Sequence, residues 1–204
     1  MNTKHEDGCT PLSYAAKNRH EAVVKILAAR ADVDVNTKDS HGYSPLSYAA
    51  GNGHEAVMMI LLARDDVEVN AKDRHGHSPL SYASKYGLVA AVKILVARDD
   101  VEVNSKDKDG RSPLSHAAEI EHEAVVKLLV SREEVEVNAK DRYGHSPLSY
   151  ASRYGLVAVV KILVARNDIE VNIKDRHGYP PLLYAAKNGH EAVVKILVRG
   201  AMST

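Results

Sequence analysis

The stretch from His77 to Gly87, "HSPLSYASKYG", returns almost letter for letter as "HSPLSYASRYG" from His145 to Gly155. The two copies stand two steps of 34 apart. The stretch's serines, tyrosines and histidine have the look of a catalytic cluster, but the spacing argues for a building block. Pro11, Pro45, Pro79, Pro113, Pro147 and Pro181 fall at a constant step of 34, and so do Gly8, Gly42, Gly76, Gly110, Gly144 and Gly178. Asn2, Asn36, Asn70, Asn104, Asn138 and Asn172 keep the same step. A fixed period over the whole chain is the signature of a repeat architecture. Six units, at approximately 2–35, 36–69, 70–103, 104–137, 138–171 and 172–204, make a single domain of residues 1–204.

Each unit reads as two short helices. In the third, "DRHG" is a polar turn, with Gly76 suited to a positive φ. Ser78 has the side chain of a helix N-cap, and Pro79 fits the first helical position, where no backbone donor is needed. The helix that follows places Leu80, Ala83 and Ser84 on one side, and Gly87 ends it as a left-handed residue. A second helix opens at once in "LVAAVKILVAR", with Ala91, Val92, Leu95 and Val96 as its apolar stripe. "DDVEVN" then alternates as a strand does. Neither helix is long enough to hold by itself. Neighbouring units must stack to bury the stripes, which predicts an all-α helix-turn-helix solenoid with short β-turn or hairpin tips.

The unit resembles the ankyrin repeat. That family's Thr-Pro-Leu-His-x-Ala-Ala motif stands here as "TPLSYAA", "SPLSYAA", "SPLSYAS", "SPLSHAA", "SPLSYAS" and "PPLLYAA". Its Gly-His link before the second helix stands as Gly53-His54 and Gly189-His190, and its Val-Asn-x-x-Asp link as "VNAKD". The likeness runs the length of the chain. It implies a non-catalytic protein-binding module in which tips and first helices face a concave groove. Two departures stand out. The motif's His is Ser at Ser13, Ser47, Ser81, Ser115 and Ser149 and Leu183 in the last copy, which puts that side chain's inter-repeat bonds in question. The unit is also one residue longer than the family's usual one, the extra residue lying in "ARDDVEVN". This 34-residue variant resembles tandem ankyrin arrays of fungal multidomain proteins. Residues 70–104 and 138–172 differ at five of 35 positions, the mark of a duplicated two-unit block.

Composition narrows the function. Lys plus Arg and Asp plus Glu both number 27, and zero net charge argues against a general affinity for nucleic acid or membrane. No segment reaches the ~18 apolar residues of a membrane span, and none resembles a signal peptide. The one cysteine, Cys9, allows no internal disulfide, so a reducing compartment, cytoplasm or nucleus, is expected. Cys9 itself reads as an incidental exposed thiol. "GNGHEA" (Gly51 to Ala56) matches a dinucleotide fingerprint but follows a helix instead of a strand. "HEAVV" at His20, His122 and His190 lacks the second histidine of a zinc helix. No Ser sits in a Gly-x-Ser-x-Gly elbow. No enzyme activity, metal or cofactor is expected.

The helical wheel suggests where binding would occur. Tyr82, Lys85 and Tyr86 leave the first helix opposite Leu80. Tyr14, Tyr48, Tyr82, Tyr150 and Tyr184 form a column broken by His116, either filling gaps between inner helices or open to a partner. Tyr86 and Tyr154 lie one turn on, and Tyr43, Tyr143 and Tyr179 lie on the tips. All ten tyrosines are thus expected on the concave side, where a rigid ring with a polar end suits an interface. Basic residues join them, with only Asp109 and Glu119 opposing, whereas the links after the second helices are acidic (Asp65, Asp66, Asp99, Asp100, Glu133, Glu134 and others). The expected partner-binding residues are Tyr43, Arg74, His77, Tyr82, Lys85, Tyr86, Lys108, Arg111, Arg142, Tyr143, His145, Tyr150, Arg153, Tyr154, Arg176 and Tyr179. The expected partner is a protein or peptide with an acidic surface. A monomer is expected, with end-to-end contact open through uncapped terminal units. Pro180 replaces the Ser cap there, and Val193, Val194 and Leu197 have no following unit to lie against. The rival reading is a structural or sensor segment that regulates an effector domain outside this chain.

Overall fold

The protein's structure, a computed structural model, describes residues 2–201. The chain divides into two compact units, one ending at Lys108 and one beginning at Asp109. The first unit holds α1 (Pro11–Lys17), α2 (Glu21–Ala28), α3 (Pro45–Asn52), α4 (Glu55–Leu62), α5 (Pro79–Lys85) and α6 (Val89–Val96). The second holds α7 (Pro113–Glu119), α8 (Glu123–Val130), α9 (Pro147–Arg153), α10 (Val157–Val164), α11 (Pro181–Lys187) and α12 (Glu191–Ala201). Within each unit the odd-numbered helices pack side by side in one layer, the even-numbered ones in a second, and each odd helix packs on the even helix that follows it.

Local sequence sets the helix ends. Thr10, Ser44, Ser78, Ser112 and Ser146 are extended residues whose side chains accept the backbone N–H three residues on, and Pro follows each. The accepting hydroxyl also meets that of the Ser in the motif's His position, at 3.1 Å for Ser78 and Ser81. The substituted Ser therefore works inside its own repeat, closing the cap. Pro180 gives α11 no such bond. Gly87 adopts φ +67° after α5. Arg19 and Glu121 hold the equivalent left-handed position in the first and fourth repeats, at φ 58° and 60°.

Packing makes these seven- and eight-residue helices persist. Leu46, Leu80, Leu61 and Leu95 are buried in the first unit, and Leu114, Leu148, Leu129 and Leu163 in the second. Each such leucine is worth roughly 1.5–3 kcal/mol of burial. Val193 and Leu197 of α12 are buried as well, against elements of their own unit, so the sequence-based view of them as uncovered is corrected. Val194 is half-buried.

The links form no strand among the described residues, contrary to the alternation read in "DDVEVN". The reason is local. The Glu68 N–H is taken by the Asn36 side chain (2.8 Å) and the Asp66 carbonyl by the same amide (2.6 Å), leaving no ladder partner. Asn70 repeats this grip on Asp100 and Glu102, and Asn138 on Asp168 and Glu170. Thus the periodic Asn clamps neighbouring links together within each unit. Arg64 adds a second brace: it forks onto Asp66 and reaches the Ala28 and Arg30 carbonyls of the preceding repeat. Arg166 does the same with Asp168, Val130 and Arg132.

Candidate functional site

The candidate surface is built from the tips between repeats and the odd-numbered helices beside them. Each tip turns on one aspartate. One oxygen of Asp73 accepts the N–H groups of His75 (2.9 Å) and His77 (2.7 Å), and the other accepts the Tyr82 hydroxyl at 2.5 Å. Asp141 holds Tyr143, His145 and Tyr150 in the same way, and Asp175 holds His177, Tyr179 and Tyr184. Asp39 holds His41, Tyr43 and Tyr48. The first tip has His5 at this position, and Asp7 takes the Tyr14 hydroxyl instead (2.7 Å). Burial pushes the Asp73 carboxyl up, but the Tyr82 hydroxyl and the tip N–H groups outweigh it and hold it below the usual carboxylate range. Asp175 follows the same pattern.

Successive tips are stitched by backbone. The Lys108 N–H donates to the His75 carbonyl (2.8 Å), and Arg176 to Tyr143 (3.2 Å). Gly76 must be glycine here: at φ +84° its missing Cβ would stand 2.8 Å from the Lys108 nitrogen. Gly144 meets the Arg176 nitrogen at 2.7 Å in the same sense.

These contacts reassign part of the predicted surface. Tyr82 and Tyr150 are only 5% and 4% exposed, so they are not open to a partner. The wheel placed them opposite Leu80 correctly, but the tip folds back over that face and covers them. Tyr82 lies against Tyr43 and His77, with ring centres 5.3 and 5.1 Å apart. His77 and His145 expose little of their side chains, each lodged between two tip aspartates: Asp73 and Asp107 for His77, Asp141 and Asp175 for His145. Cys9 occupies the equivalent place in the first tip and is 2% exposed, not the exposed thiol expected; burial pushes its pKa up. By contrast Tyr86, Tyr154, Tyr143 and Tyr179 are 53%, 48%, 46% and 42% exposed, and Tyr43 is half-buried.

The charge pattern is also sharpened. Arg111 is bound to Glu119 at 2.7 Å and Arg142 to Asp109 at 3.0 Å, so two of the expected binding cations are answered within the chain. Arg74, Lys108, Arg153 and Arg176 are exposed, and Lys85 is half-buried. On the links, the arginine forks at Arg64, Arg98, Arg132 and Arg166 neutralise Asp66, Asp100, Glu134 and Asp168, so the acidic edge is weaker than the sequence count implied. The tip aspartates stood in the sequence as the last residue of the Val-Asn-x-x-Asp link, and their role as acceptors for the tip and the tyrosine was not read there. They recur at the same step as the Asn and Gly, and that recurrence was the available signal. Lys17, also missed, sets its ammonium 5.2 Å from the Tyr48 ring centre.

Two of the histidines that open even helices, His54 and His190, are structural. His54 Nε2 lies 3.1 Å from the Lys17 carbonyl and His190 Nε2 3.0 Å from that of Arg153, each reaching the preceding repeat. The "GNGHEA" motif spans the end of α3 and the turn into α4, with Gly53 in the left-handed region.

Shallow clefts open between neighbouring odd helices. One of about 180 Å³ in the first unit is lined by Lys17, Tyr43, Tyr48, Tyr82 and Tyr86. In the second unit, one of about 250 Å³ is lined by Arg111, Tyr143, Arg153 and Tyr154, and one of about 310 Å³ by Arg153, Tyr179, Tyr184 and Lys187.

Comparison with known proteins agrees with this architecture. The family model for ankyrin repeats matches residues 1–73, 31–107, 80–175 and 133–203, and the chain belongs to the ankyrin repeat family. The crystal structure of the ankyrin repeat protein EF0377 superposes with a TM-score of 0.86 at 26% identity, over 96% of this chain and 99% of that one. No curated protein matches the sequence. Ankyrin repeats are non-enzymatic protein–protein interaction scaffolds, and among the described residues no helix is long and apolar enough to cross a membrane.

Proposed function

We propose that this chain is one ankyrin-repeat domain that binds an acidic peptide or protein surface through the tyrosines and cations of its tips and odd helices. One observation carries the reading: nine of the ten tyrosines sort into two classes, with the half-buried Tyr43 outside both. Five are tied by their hydroxyls to tip aspartates, whereas Tyr86, Tyr143, Tyr154 and Tyr179 stand largely open with no such tie. Exposed aromatic rings beside arginines are the groups that dominate protein interfaces. Arg142 and Arg153 lie 4.8 and 5.9 Å from the Tyr143 and Tyr154 ring centres, which supports a surface of paired guanidinium and ring.

The test pairs an acidic twelve-residue peptide with its lysine-substituted counterpart at low and high salt. Preference for the acidic peptide, weakening at least tenfold as salt rises, agrees with the reading. Replacing Tyr86 and Tyr154 by Ala, or Arg74 and Arg176 by Glu, should weaken binding with the fold intact. Unchanged affinity in both pairs of variants sinks it.

A further inference from the structure

We propose that the cleft between α9 and α11 is the anchor point of the acidic partner, taking the carboxylate of one Asp or Glu side chain between Arg153 and Lys187 over the rings of Tyr179 and Tyr184. The proposal rests on the acidic-partner reading and narrows it to a place and a group.

Arg153 and Lys187 are the last residues of α9 and α11, so they hold the same position on adjacent helices. Packed helices lie ~8–10 Å apart, and two long cationic side chains across that gap can converge on one small anion. The space between them is about 310 Å³, room for a single side chain. Arg153 is steadied before any ligand arrives: its guanidinium lies 5.9 Å from the ring centres of both Tyr154 and Tyr184. Tyr179 meets Tyr184 edge-on at 6.2 Å and shares the remaining wall with His145, His177 and Asn188.

Charge complementarity selects the occupant. Among the described residues, neither Arg153 nor Lys187 has an ion pair. The carboxylate of the adjoining tip, Asp175, is already saturated by the N–H groups of His177 and Tyr179 (both 2.8 Å) and by the Tyr184 hydroxyl. Two repeats earlier the residue equivalent to Lys187 is Glu119, and there Arg111 is consumed internally. Positive charge in this unit is thus uncompensated at the α9–α11 cleft and largely cancelled at α7. A planar guanidinium held over rings is matched to a planar carboxylate.

The experiment uses the full chain and a fluorescein-labelled, end-blocked pentaglutamate peptide, with pentaglutamine as the control. Expected: pentaglutamate binds and pentaglutamine does not. Arg153→Glu with Lys187→Glu weakens binding at least tenfold, Lys161→Glu on the exposed side of α10 less than twofold, and phosphate matched to chloride in ionic strength does not displace the peptide. In the unmodified chain, the Arg153 Nε–Hε resonance should move on titration, a readout that needs no folded variant. If Arg142→Glu or Arg74→Glu costs as much as the double change, or the Arg153 resonance stays still while peptide binds, the anchor is overturned and the broader surface stands. Displacement by matched phosphate marks a general anion site and overturns the carboxylate assignment. Absence of any pentaglutamate binding overturns both readings.

Discussion

Tyr82 donates its hydroxyl hydrogen to Asp73 across 2.5 Å, tying the first helix of the third repeat to the tip that precedes it. The bond joins a ring the sequence offered to a partner with an acid the sequence showed only as part of a link and a turn. Both are buried, so each needs the other: without the hydroxyl, a carboxylate oxygen would lose its donor in a site with little water.

Removing that donor should therefore cost more than removing an exposed hydroxyl. Tyr82→Phe is expected to destabilise the chain by about 1.5–3 kcal/mol, the range for bonds to a charged group. Tyr86→Phe should change stability by less than about 0.5 kcal/mol. Urea denaturation followed by circular dichroism distinguishes the two, and equal effects would falsify the division of the tyrosines.

Stability should fall at both ends of the pH scale for linked reasons. Asp73 and Asp175 have depressed folded pKa values, so their contribution is present above the unfolded value of about 3.9 and vanishes as pH drops through the folded one. Melting temperature should hold to about pH 4 and then decline, less steeply in Tyr82→Phe. At the alkaline end the tied tyrosines are raised: Tyr14 to about 12 by its Asp7 bond, and Tyr184 to about 12, chiefly by burial and then by its Asp175 bond. Burial, with the bonds to Asp39, Asp73 and Asp141, raises Tyr48, Tyr82 and Tyr150 further. Their stabilisation is complete below the unfolded value of about 10 and is lost as pH climbs through the folded values. Absorbance at about 295 nm, where tyrosinate is read, should show these rings ionising only together with loss of helix.

Glu121 sits where four of the six repeats use Gly53, Gly87, Gly155 and Gly189. Glu121→Gly relieves a left-handed φ of 60°, and a gain of about 0.5–1 kcal/mol is expected after allowing for the freer unfolded chain. The reverse change, Gly155→Ala, puts a Cβ 2.5 Å from His190 Nδ1 at φ +70° and should cost about 2 kcal/mol or more. Thermal midpoints moving the same way for both would contradict this account.

Asn70 holds two backbone groups of the next link at once. Asn70→Ala should lower stability by about 1–2 kcal/mol, while Asn70→Asp, which keeps the acceptor but loses the donor, should fall between. Hydrogen exchange at the Glu102 amide gives the local readout: it should accelerate in the Ala variant and stay slower in the Asp one.

Cys9 should resist a thiol reagent in the folded chain and react on adding denaturant, since its sulfur is buried 3.8 Å from both Asp39 and Tyr48. Immediate reaction in buffer would restore the exposed thiol.

The sequence by itself determined the repeat, the helix ends and the packed stripes. These depend on near neighbours: Ser78 caps a backbone group three residues on, Pro79 presets φ, and Ala91, Val92, Leu95 and Val96 share a side of one helix. Tertiary structure decided which tyrosines stay open. That depends on a tip folding back over the helix that follows it, which a wheel drawn on an isolated helix does not contain. It also decided which cations stay unanswered, since Arg142 meets Asp109 of the preceding tip, whereas among the described residues no carboxylate pairs with Arg153 or Lys187 at the ends of α9 and α11. Periodicity reports what every repeat shares. The candidate site lies in what one repeat has and its neighbours lack, and that difference acquires meaning only when the chain brings the repeats side by side.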